Sequence, residues 1–207
     1  MAKISNPNPT ITKIEDGIYL GDSLSSRQRE TLQGYNITAV VSLSNGRWVH
    51  WRQPWYKKII PEGHHLFIRC DDSMIQDLLP EFARICDFIQ ARLRNNRAAS
   101  DMSNVLVHCD KGVSRSATAM VAYLMRTHGW SADTALAHVQ EKRRIKPNEN
   151  FKEQLQVWEA TGYEVWQEGD AEGRIPKPEY ADYLAKRAKR LEEYGLTGDE
   201  PIGVQSL

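Results

Sequence analysis

The sequence lacks a net charge of either sign and lacks any long apolar run. Among its 207 residues, 27 Lys and Arg balance 27 Asp and Glu. A protein that binds nucleic-acid backbone needs a basic excess, and a bilayer-spanning helix needs about 20 consecutive apolar residues. The start, Met1–Pro9, has no apolar core of a secretory signal. We therefore expect no nucleic-acid partner, no membrane span and no secretory leader.

Cysteine is scarce and shows no pattern. The three cysteines, Cys70, Cys86 and Cys109, are odd in number and irregularly spaced, which excludes a disulfide framework. Free thiols suit a reducing compartment, so we expect a cytoplasmic or nuclear location. The His, Cys and Asp residues nowhere show metal-site spacing. We therefore expect no metal and no other cofactor.

Composition divides the chain into three parts. Residues 1–13 hold Asn, Pro and Thr and little that could be buried, which predicts a loose arm. Residues 14–162 have the composition expected of one globular domain. Residues 163–207 form a charged extension with one predicted helix. This helix either packs on the domain or stays solvated, and its periodic apolar residues are Tyr180, Tyr183, Leu184, Leu191 and Tyr194.

Short apolar runs alternate with helical patterns along the domain. Strands are predicted at residues 18–20, 37–43, 64–70 and 105–107. Helices are predicted at residues 26–35, 78–93, 117–128, 131–139 and 151–160. This alternation predicts an α/β layer fold.

The most informative feature is the loop that follows the last predicted strand. Residues 108–116 read HCDKGVSRS and connect a buried strand to a helix. Backbone N–H groups in such a loop point at one spot, and the helix N-terminus adds about half a positive charge, so the loop predicts a dianion site. Gly112 permits the tight path, and Arg115 offers a planar fork to two phosphate oxygens.

A cysteine in this field gains a second property. The pKa of thiols in such settings falls from about 8.5 to roughly 3.5–7.5, so Cys109 is predicted to be an ionised nucleophile at neutral pH. A lone cysteine is more often a small buried hydrophobe. Here His, Cys, Gly, Ser, Arg and Ser share one nine-residue window at a strand-to-helix junction, which favours the functional interpretation.

The loop resembles the signature of the protein tyrosine phosphatase superfamily, and its Gly-X-Ser-Arg-Ser ending is similar to the dual-specificity branch. Gly17–Gly21 (GIYLG), Ile37–Leu43 (ITAVVSL) and Lys146–Phe151 (KPNENF) also resemble that branch, in the same order. The resemblance spans roughly residues 14–162. It implies a central mixed sheet of about five strands flanked by helices.

The resemblance also implies roles for residues of the loop. Cys109 would attack phosphorus and form a phosphocysteine that water then hydrolyses. Arg115 and the N–H groups of residues 110–115 would hold the phosphoryl oxygens. Ser116 would donate to the Cys109 sulfur, and His108 would orient the loop. The phosphate-binding residues would be Asp110, Lys111, Gly112, Val113, Ser114 and Arg115.

A general acid is needed to protonate the leaving oxygen. The family keeps its acid before the helix predicted at 78–93, where Asp71, Asp72 and Asp77 occur. Aligning Phe82 with the family's helix places the acid on Asp72. Asp71 remains a rival, whereas Asp77 suits a helix N-cap.

Four features allow two interpretations each. Asn148 resembles a residue that braces the phosphate loop, but Pro-Asn also favours a turn. The Trp-, Arg- and Lys-rich stretch 47–58 is a substrate-recognition flap or an insertion that packs its own tryptophans. Cys70 is a core position or a partner that traps oxidised Cys109 as a disulfide. The segment 146–166 is similar to relatives that append a cysteine-rich zinc module; this chain has no such cysteines, so it either lacks that module or has lost it.

These features predict a metal-independent phosphomonoester hydrolase that acts as a monomer on phosphotyrosine and phosphoserine/threonine proteins. Two alternatives stay open. One is a phosphatase of inositol phosphates, phosphoinositides or RNA 5′ ends, since lysine at the position of Lys111 also occurs in phosphoinositide phosphatases. The other is a phosphate-binding pseudophosphatase, although such relatives usually lose the nucleophile.

Overall fold

A mixed sheet organises the described part of the chain. The computed structural model describes residues 8–46, 50–96, 104–167, 174–198 and 200–202. Within these ranges the strands are β1 (Ile11–Glu15), β2 (Ile18–Gly21), β3 (Ile37–Ser44), β4 (His65–Arg69) and β5 (Asn104–His108). Their order in the sheet is β1-β2-β5-β3-β4. Only β1 and β2 pair antiparallel, so the expected mixed sheet of five strands is confirmed.

The parallel strands bring their carboxyl ends to one edge. In the register of β3 with β5, Val41 lies opposite Val107 and Ser42 opposite His108. β4 runs parallel to β3 on its other side. Side chains that follow parallel strands meet at this edge, which is where open α/β sheets place their ligands. The segments that begin at Cys109 and Asp71 are therefore neighbours.

Helices cover both faces of the sheet. They are α1 (Arg29–Gly34), α2 (Pro54–Ile59), α3 (Leu79–Asn96), α4 (Arg115–His128), α5 (Ala132–Lys142), α6 (Glu149–Ala160) and α7 (Pro178–Glu193), with a 3₁₀ turn at His50–Arg52. The larger apolar core lies among the sheet, α3, α4, α5 and α6. A smaller cluster on the other face includes Leu32, Val40, Tyr56 and Leu106. No helix of the described residues is long and apolar enough to cross a membrane.

The predicted loose arm is wrong over its last residues. β1 begins at Ile11, and its backbone pairs with β2 from Ile11 opposite Gly21. Apolar and polar residues alternate too weakly in the sequence 11–15 to predict a strand. Pairing with β2 stabilises the extended conformation of these residues. Residues 1–7 of the predicted arm lie outside the described residues.

The aromatic stretch packs against the smaller core cluster. Trp51 and Trp55 lie against this cluster, and Tyr56 is 2% exposed within it. The Trp51 ring also packs on Phe67 with ring centroids 5.1 Å apart. These contacts agree with an insertion that packs its own aromatic residues. Residues 47–49 of this stretch lie outside the described residues.

The helix predicted in the extension packs on the domain. Tyr180, Tyr183 and Leu191 of α7 are 2%, 1% and 6% exposed. The Trp166 ring meets Tyr180 edge to face, with centroids 5.3 Å apart. Of the two interpretations of this helix, the structure therefore favours packing over solvation.

Trp158 anchors α6 in the larger core, and its removal tests that packing. The side chain is fully buried, packs edge to face on Phe82 and donates from Nε1 to the Ala122 carbonyl at 3.2 Å. We expect Trp158→Ala to lower the free energy of unfolding by about 3–5 kcal/mol in urea denaturation. Tyr194→Ala, at a residue 64% exposed, should change it by less than about 0.5 kcal/mol. Equal effects of the two variants would contradict the assigned core.

Candidate active site

The loop between β5 and α4 surrounds the sulfur of Cys109. The Gly112 N–H donates to Sγ at 3.2 Å, and the Ser116 hydroxyl donates at 3.1 Å. Hydrogen bonds to a sulfur anion favour its charged form over the thiol. The residue is 2% exposed, yet it lines a cleft of about 580 Å³. The sulfur thus lies at the bottom of an open cleft with two donors directed at it.

Gly112 is required by the path of the loop. Its φ is +66°, a left-handed conformation that disfavours other residues. A Cβ atom there would lie 2.4 Å from the carbonyl oxygen of Gly21. The loop can therefore approach β2 this closely only with glycine at this position.

Arg115 extends across the loop, and only some of its guanidinium donors have hydrogen-bond acceptors. Nη2 pairs with the Asp110 carboxylate at 2.8 Å, and Nη1 donates to the Cys70 carbonyl at 3.1 Å. Nε is buried and has no hydrogen-bond acceptor. Burial disfavours the charged guanidinium, but the neighbouring Cys109 and Asp110 outweigh burial and raise its pKa. The side chain is a fixed cation with a donor still available to an anion.

Asp72 lies at the edge of the cleft. Its Oδ1 accepts from the Ser114 hydroxyl at 2.7 Å and from the Asn148 amide at 2.9 Å, while Oδ2 lies 3.9 Å from Arg115 Nε. Asp71 is 3% exposed and is not among the residues that line the cleft. The geometry therefore favours Asp72 over its rival as the group that can meet a substrate.

Asp77 acts as the predicted cap. Its Oδ1 accepts from the Leu79 N–H at 3.0 Å, at the first residue of α3. Its Oδ2 accepts from the Tyr180 hydroxyl at 2.8 Å. Burial raises the pKa of this carboxyl. Both oxygens are thus used in the structure of the segment.

His108 lies under the loop as a buried, neutral ring. Its Nε2 is 2.6 Å from the Ser42 hydroxyl, which is in turn 2.8 Å from Nε2 of His65. Burial lowers the pKa of His108 to about 3. A ring that stays neutral at physiological pH and bonds to β3 can orient the loop without placing a positive charge beneath it.

The cleft collects most of the predicted phosphate-binding residues. Asp110, Lys111, Val113, Ser114 and Arg115 line it together with Cys109. His108 instead bonds to Ser42 of β3, while Gly112 and Ser116 donate to the Cys109 sulfur. Among the described residues, no three His, Cys, Asp or Glu side chains are grouped as a metal site requires.

Asn148 makes a different contact from the one expected. Its Nδ2 donates to Asp72, and its Oδ1 accepts from the Phe151 N–H at 2.9 Å as the N-cap of α6. It therefore braces the Asp72 carboxylate, which in turn accepts from Ser114 of the phosphate loop. One side chain can both brace Asp72 and cap α6 because an amide has separate donor and acceptor ends.

Sequence reasoning missed Arg143. Its Nε donates to the Gly112 carbonyl at 2.9 Å, and its Nη2 reaches the Lys111 carbonyl at 3.3 Å and Thr10 Oγ1 at 2.9 Å. The guanidinium thus ties the outer side of the loop to the start of the chain. Arg143 lies about thirty positions after the loop carbonyls that it bonds, so no local sequence pattern predicts these contacts.

Cys70 follows β4 and lies deep in the core. It is a free thiol, and burial raises its pKa to about 12. Its carbonyl accepts from Arg115, so the backbone of this residue supports the site. The disulfide with Cys109 remains a prediction.

Comparisons with known proteins agree with this site. Residues 18–161 match the family model "Dual specificity phosphatase, catalytic domain". The chain is 39% identical over 107 residues to tyrosine-protein phosphatase yvh1 of Schizosaccharomyces pombe, covering 51% of this chain and 31% of that protein. It is 36% identical over 157 residues to human dual specificity protein phosphatase 16, covering 75% and 21%. The chain thus spans less than a third of either relative.

Solved structures share the fold. The Yvh1 phosphatase domain from Chaetomium thermophilum superposes with a TM-score of 0.64 at 28% identity, over 75% of this chain and 97% of that one. Human DUSP28 superposes with a TM-score of 0.63 at 26% identity, over 76% and 97%.

The neutral histidine under the loop predicts how stability changes with pH. The unfolded chain protonates His108 near pH 6.5, whereas the folded chain resists protonation down to about pH 3. Stability is therefore lost as pH falls below 6.5, by up to about 1.4 kcal/mol per pH unit from this residue. His50 and His65, whose pKa burial lowers to about 4, act in the same direction.

Urea unfolding between pH 7 and pH 5 measures this effect. We expect His108→Asn, which retains a polar side chain, to lose stability less steeply than the wild type as the pH falls. Comparison of slopes removes the constant cost of the substitution. Identical slopes in the two proteins would show that His108 is not buried in its neutral form.

Proposed function

The chain belongs to the dual-specificity phosphatase family, and on that premise we propose that it hydrolyses phosphate monoesters through a phosphocysteine on Cys109. The observation that carries the proposal is the Cys109 sulfur, which accepts from Gly112 N–H and Ser116 Oγ beside the guanidinium of Arg115. The proposed substrates are proteins that carry phosphotyrosine or phosphoserine/threonine.

In the first step the sulfur attacks phosphorus. The S–P bond forms as the P–O bond to the substrate oxygen breaks, so the phosphoryl group passes to Cys109. Arg115 Nε and the loop N–H groups bind the equatorial oxygens, whose charge is spread most widely in the transition state. Asp110 holds Nη2 before substrate binds, so a phosphate dianion must compete with that carboxylate.

Asp72 supplies the proton that the leaving oxygen needs. Ser114 and Asn148 both direct hydrogen bonds at Oδ1, which leaves Oδ2 toward the cleft and 3.9 Å from Arg115 Nε. In its protonated form Asp72 gives the proton to the leaving alkoxide or phenolate. In the second step the resulting carboxylate takes a proton from water as water attacks the phosphocysteine and the S–P bond breaks.

Ser116 assists that second step. Its hydroxyl donates to Sγ at 3.1 Å, and this bond strengthens as the sulfur regains negative charge on leaving. His108 keeps the loop in place through Ser42. Arg143 holds the opposite side of the loop through the Gly112 carbonyl.

The rim of the cleft carries charges of both signs. Lys111 and Lys146 line it together with Asp110 and Glu149. A mixed rim suits a phosphorylated peptide better than a polyphosphate, because the acidic residues repel additional negative charge. We further propose that the enzyme acts as a monomer in the cytoplasm or nucleus and that its catalytic residues all lie within residues 14–162.

Cys109→Ser tests the nucleophile. We expect the variant to lose at least about 10³-fold in turnover of a small aryl phosphate, since a hydroxyl in the same place is a far weaker nucleophile. EDTA should leave the wild-type rate unchanged. The matched control is Cys86→Ser, which alters a buried thiol in α3 away from the cleft. Residual activity of Cys109→Ser near the wild-type level would overturn the mechanism.

Competing substrates test the proposed class. The wild-type enzyme should release phosphate from phosphotyrosine and phosphothreonine peptides with higher kcat/KM than from inositol phosphates or a 5′-phosphorylated RNA oligonucleotide. The Cys109→Ser protein, incubated with cell extract, should retain phosphoproteins. Preference for inositol phosphates or RNA would assign the alternative substrates, and binding without turnover by the wild type would assign a pseudophosphatase.

Separate substitutions decide the general acid. Asp72→Asn should reduce kcat/KM for phenyl phosphate by about 10²-fold or more, because phenolate is a poor leaving group without a proton and kcat/KM reports only formation of the phosphocysteine. For 2,4-dinitrophenyl phosphate, whose leaving group needs no proton, the loss should be much smaller. Asp71→Asn is the matched control. If Asp71→Asn shows the larger, leaving-group-dependent loss, Asp71 is the acid instead.

A further inference from the structure

The candidate acid lies on a segment without regular secondary structure. We call residues 71–78, between β4 and α3, the acid segment; it contains no helix and no strand. Its backbone groups therefore depend on side chains for many of their hydrogen bonds. Because proton transfer needs hydrogen-bond distance, whatever holds this segment also holds Asp72 against the substrate.

Helix α7 contacts the acid segment directly at two points. Arg187 Nε donates to the Ile75 carbonyl at 2.7 Å. The Tyr180 hydroxyl donates to the Asp77 carboxylate at 2.8 Å, and this tyrosine is 2% exposed. A helix from the C-terminal extension thus satisfies polar groups of a segment about one hundred residues earlier in the chain.

A third contact passes through two buried amides of α6. The Tyr183 hydroxyl donates to Asn150 Oδ1 at 3.0 Å and accepts from Gln154 Nε2 at 2.7 Å. With its oxygen turned to Tyr183, Asn150 directs Nδ2 at the carbonyls of Ser73 and Gln76, at 3.2 and 2.8 Å. Gln154 Nε2 also donates to the Gln76 carbonyl at 2.7 Å. The Tyr183 hydroxyl, together with Arg190 Nη2 at 3.3 Å, therefore holds Asn150 with its Nδ2 toward the acid segment.

The network ends on both neighbours of Asp72. Ser73 accepts from Asn150 through its carbonyl. On the other side, the Asp71 N–H donates to Gln76 Oε1 at 2.9 Å. Because the residues before and after Asp72 are both tied to this network, a change at α7 can move the carboxylate without touching it.

We propose that α7 is a positioning element for the general acid, with Tyr183 and Arg187 as its positioning residues. The inference rests on the proposed function, since it assigns a role in that reaction. α7 lies outside residues 18–161, the part that matches the family's catalytic domain. The extension thus adds to the catalytic domain a support for its acid.

A positioning role differs measurably from a purely structural one. A helix that only stabilises the fold changes the amount of active enzyme, which scales the rates for all substrates equally. A helix that positions the acid lowers kcat/KM, which reports formation of the phosphocysteine, only for substrates whose leaving group needs a proton. The dependence of the rate on the leaving group therefore separates the two roles.

Tyr183→Phe is the sharpest test, because it removes one hydroxyl and retains the ring. We expect kcat/KM for phenyl phosphate to fall about tenfold and kcat/KM for 2,4-dinitrophenyl phosphate to change less than about twofold. Arg187→Ala should show the same pattern. Lys189→Ala, at an exposed residue of the same helix, should change neither rate.

A double substitution completes the test. In the Asp72→Asn background, Tyr183→Phe should cause no further loss with phenyl phosphate, since the acid it positions is already absent. Equal losses with both substrates, or an undiminished loss in that background, would overturn the positioning role. These outcomes leave the proposed function standing, which fails only if the wild type turns over neither substrate or Cys109→Ser remains active.

Discussion

The site depends on one requirement, which is that a sulfur atom at the end of a parallel strand must be surrounded by hydrogen-bond donors. Gly112 N–H and Ser116 Oγ meet it, at 3.2 and 3.1 Å from Sγ. The loop can place them only because Gly112 adopts φ +66° against β2. The chain must then enter a helix at once, and α4 begins at Arg115. The strand-to-helix junction and the parallel sheet follow from that need.

A neutral side chain and a charged side chain hold this loop from two different sides. Below it, His108 is kept uncharged by burial and bonds to Ser42 of β3, so it adds no positive charge that would be costly in the core. Outside it, Arg143 carries its charge at a half-buried position and bonds the loop carbonyls. A cation on the carbonyl side leaves the N–H groups free to face the cleft, where an anion is to bind.

The sequence is most informative about the candidate site where its residues are contiguous. Cys109 to Ser116 fall in one window, so local chemistry indicates their proposed roles, and the strand periods predict the sheet. The contact of Asn148 with Asp72 and the bond of Arg143 to the loop join residues 76 and 31 positions apart, and no local pattern encodes such distances. In the sequence, only the resemblance to the family distinguishes Asp72 from Asp71. The two residues carry the same carboxylate and differ only in the direction of the side chain, which a sequence does not show. Their burial in the fold supplies the missing distinction.

The resemblance to the family ends near residue 162, but the packing of the domain continues beyond that residue. Asn150 and Gln154, within the family's domain, are 1% and 0% exposed, and both share the hydroxyl of Tyr183, outside it. Without α7 these amides would lose a buried partner, at a cost of about 1–3 kcal/mol for each group left unpaired. Helix α7 is therefore part of the folded domain, and it meets the domain at the segment that carries the proposed acid.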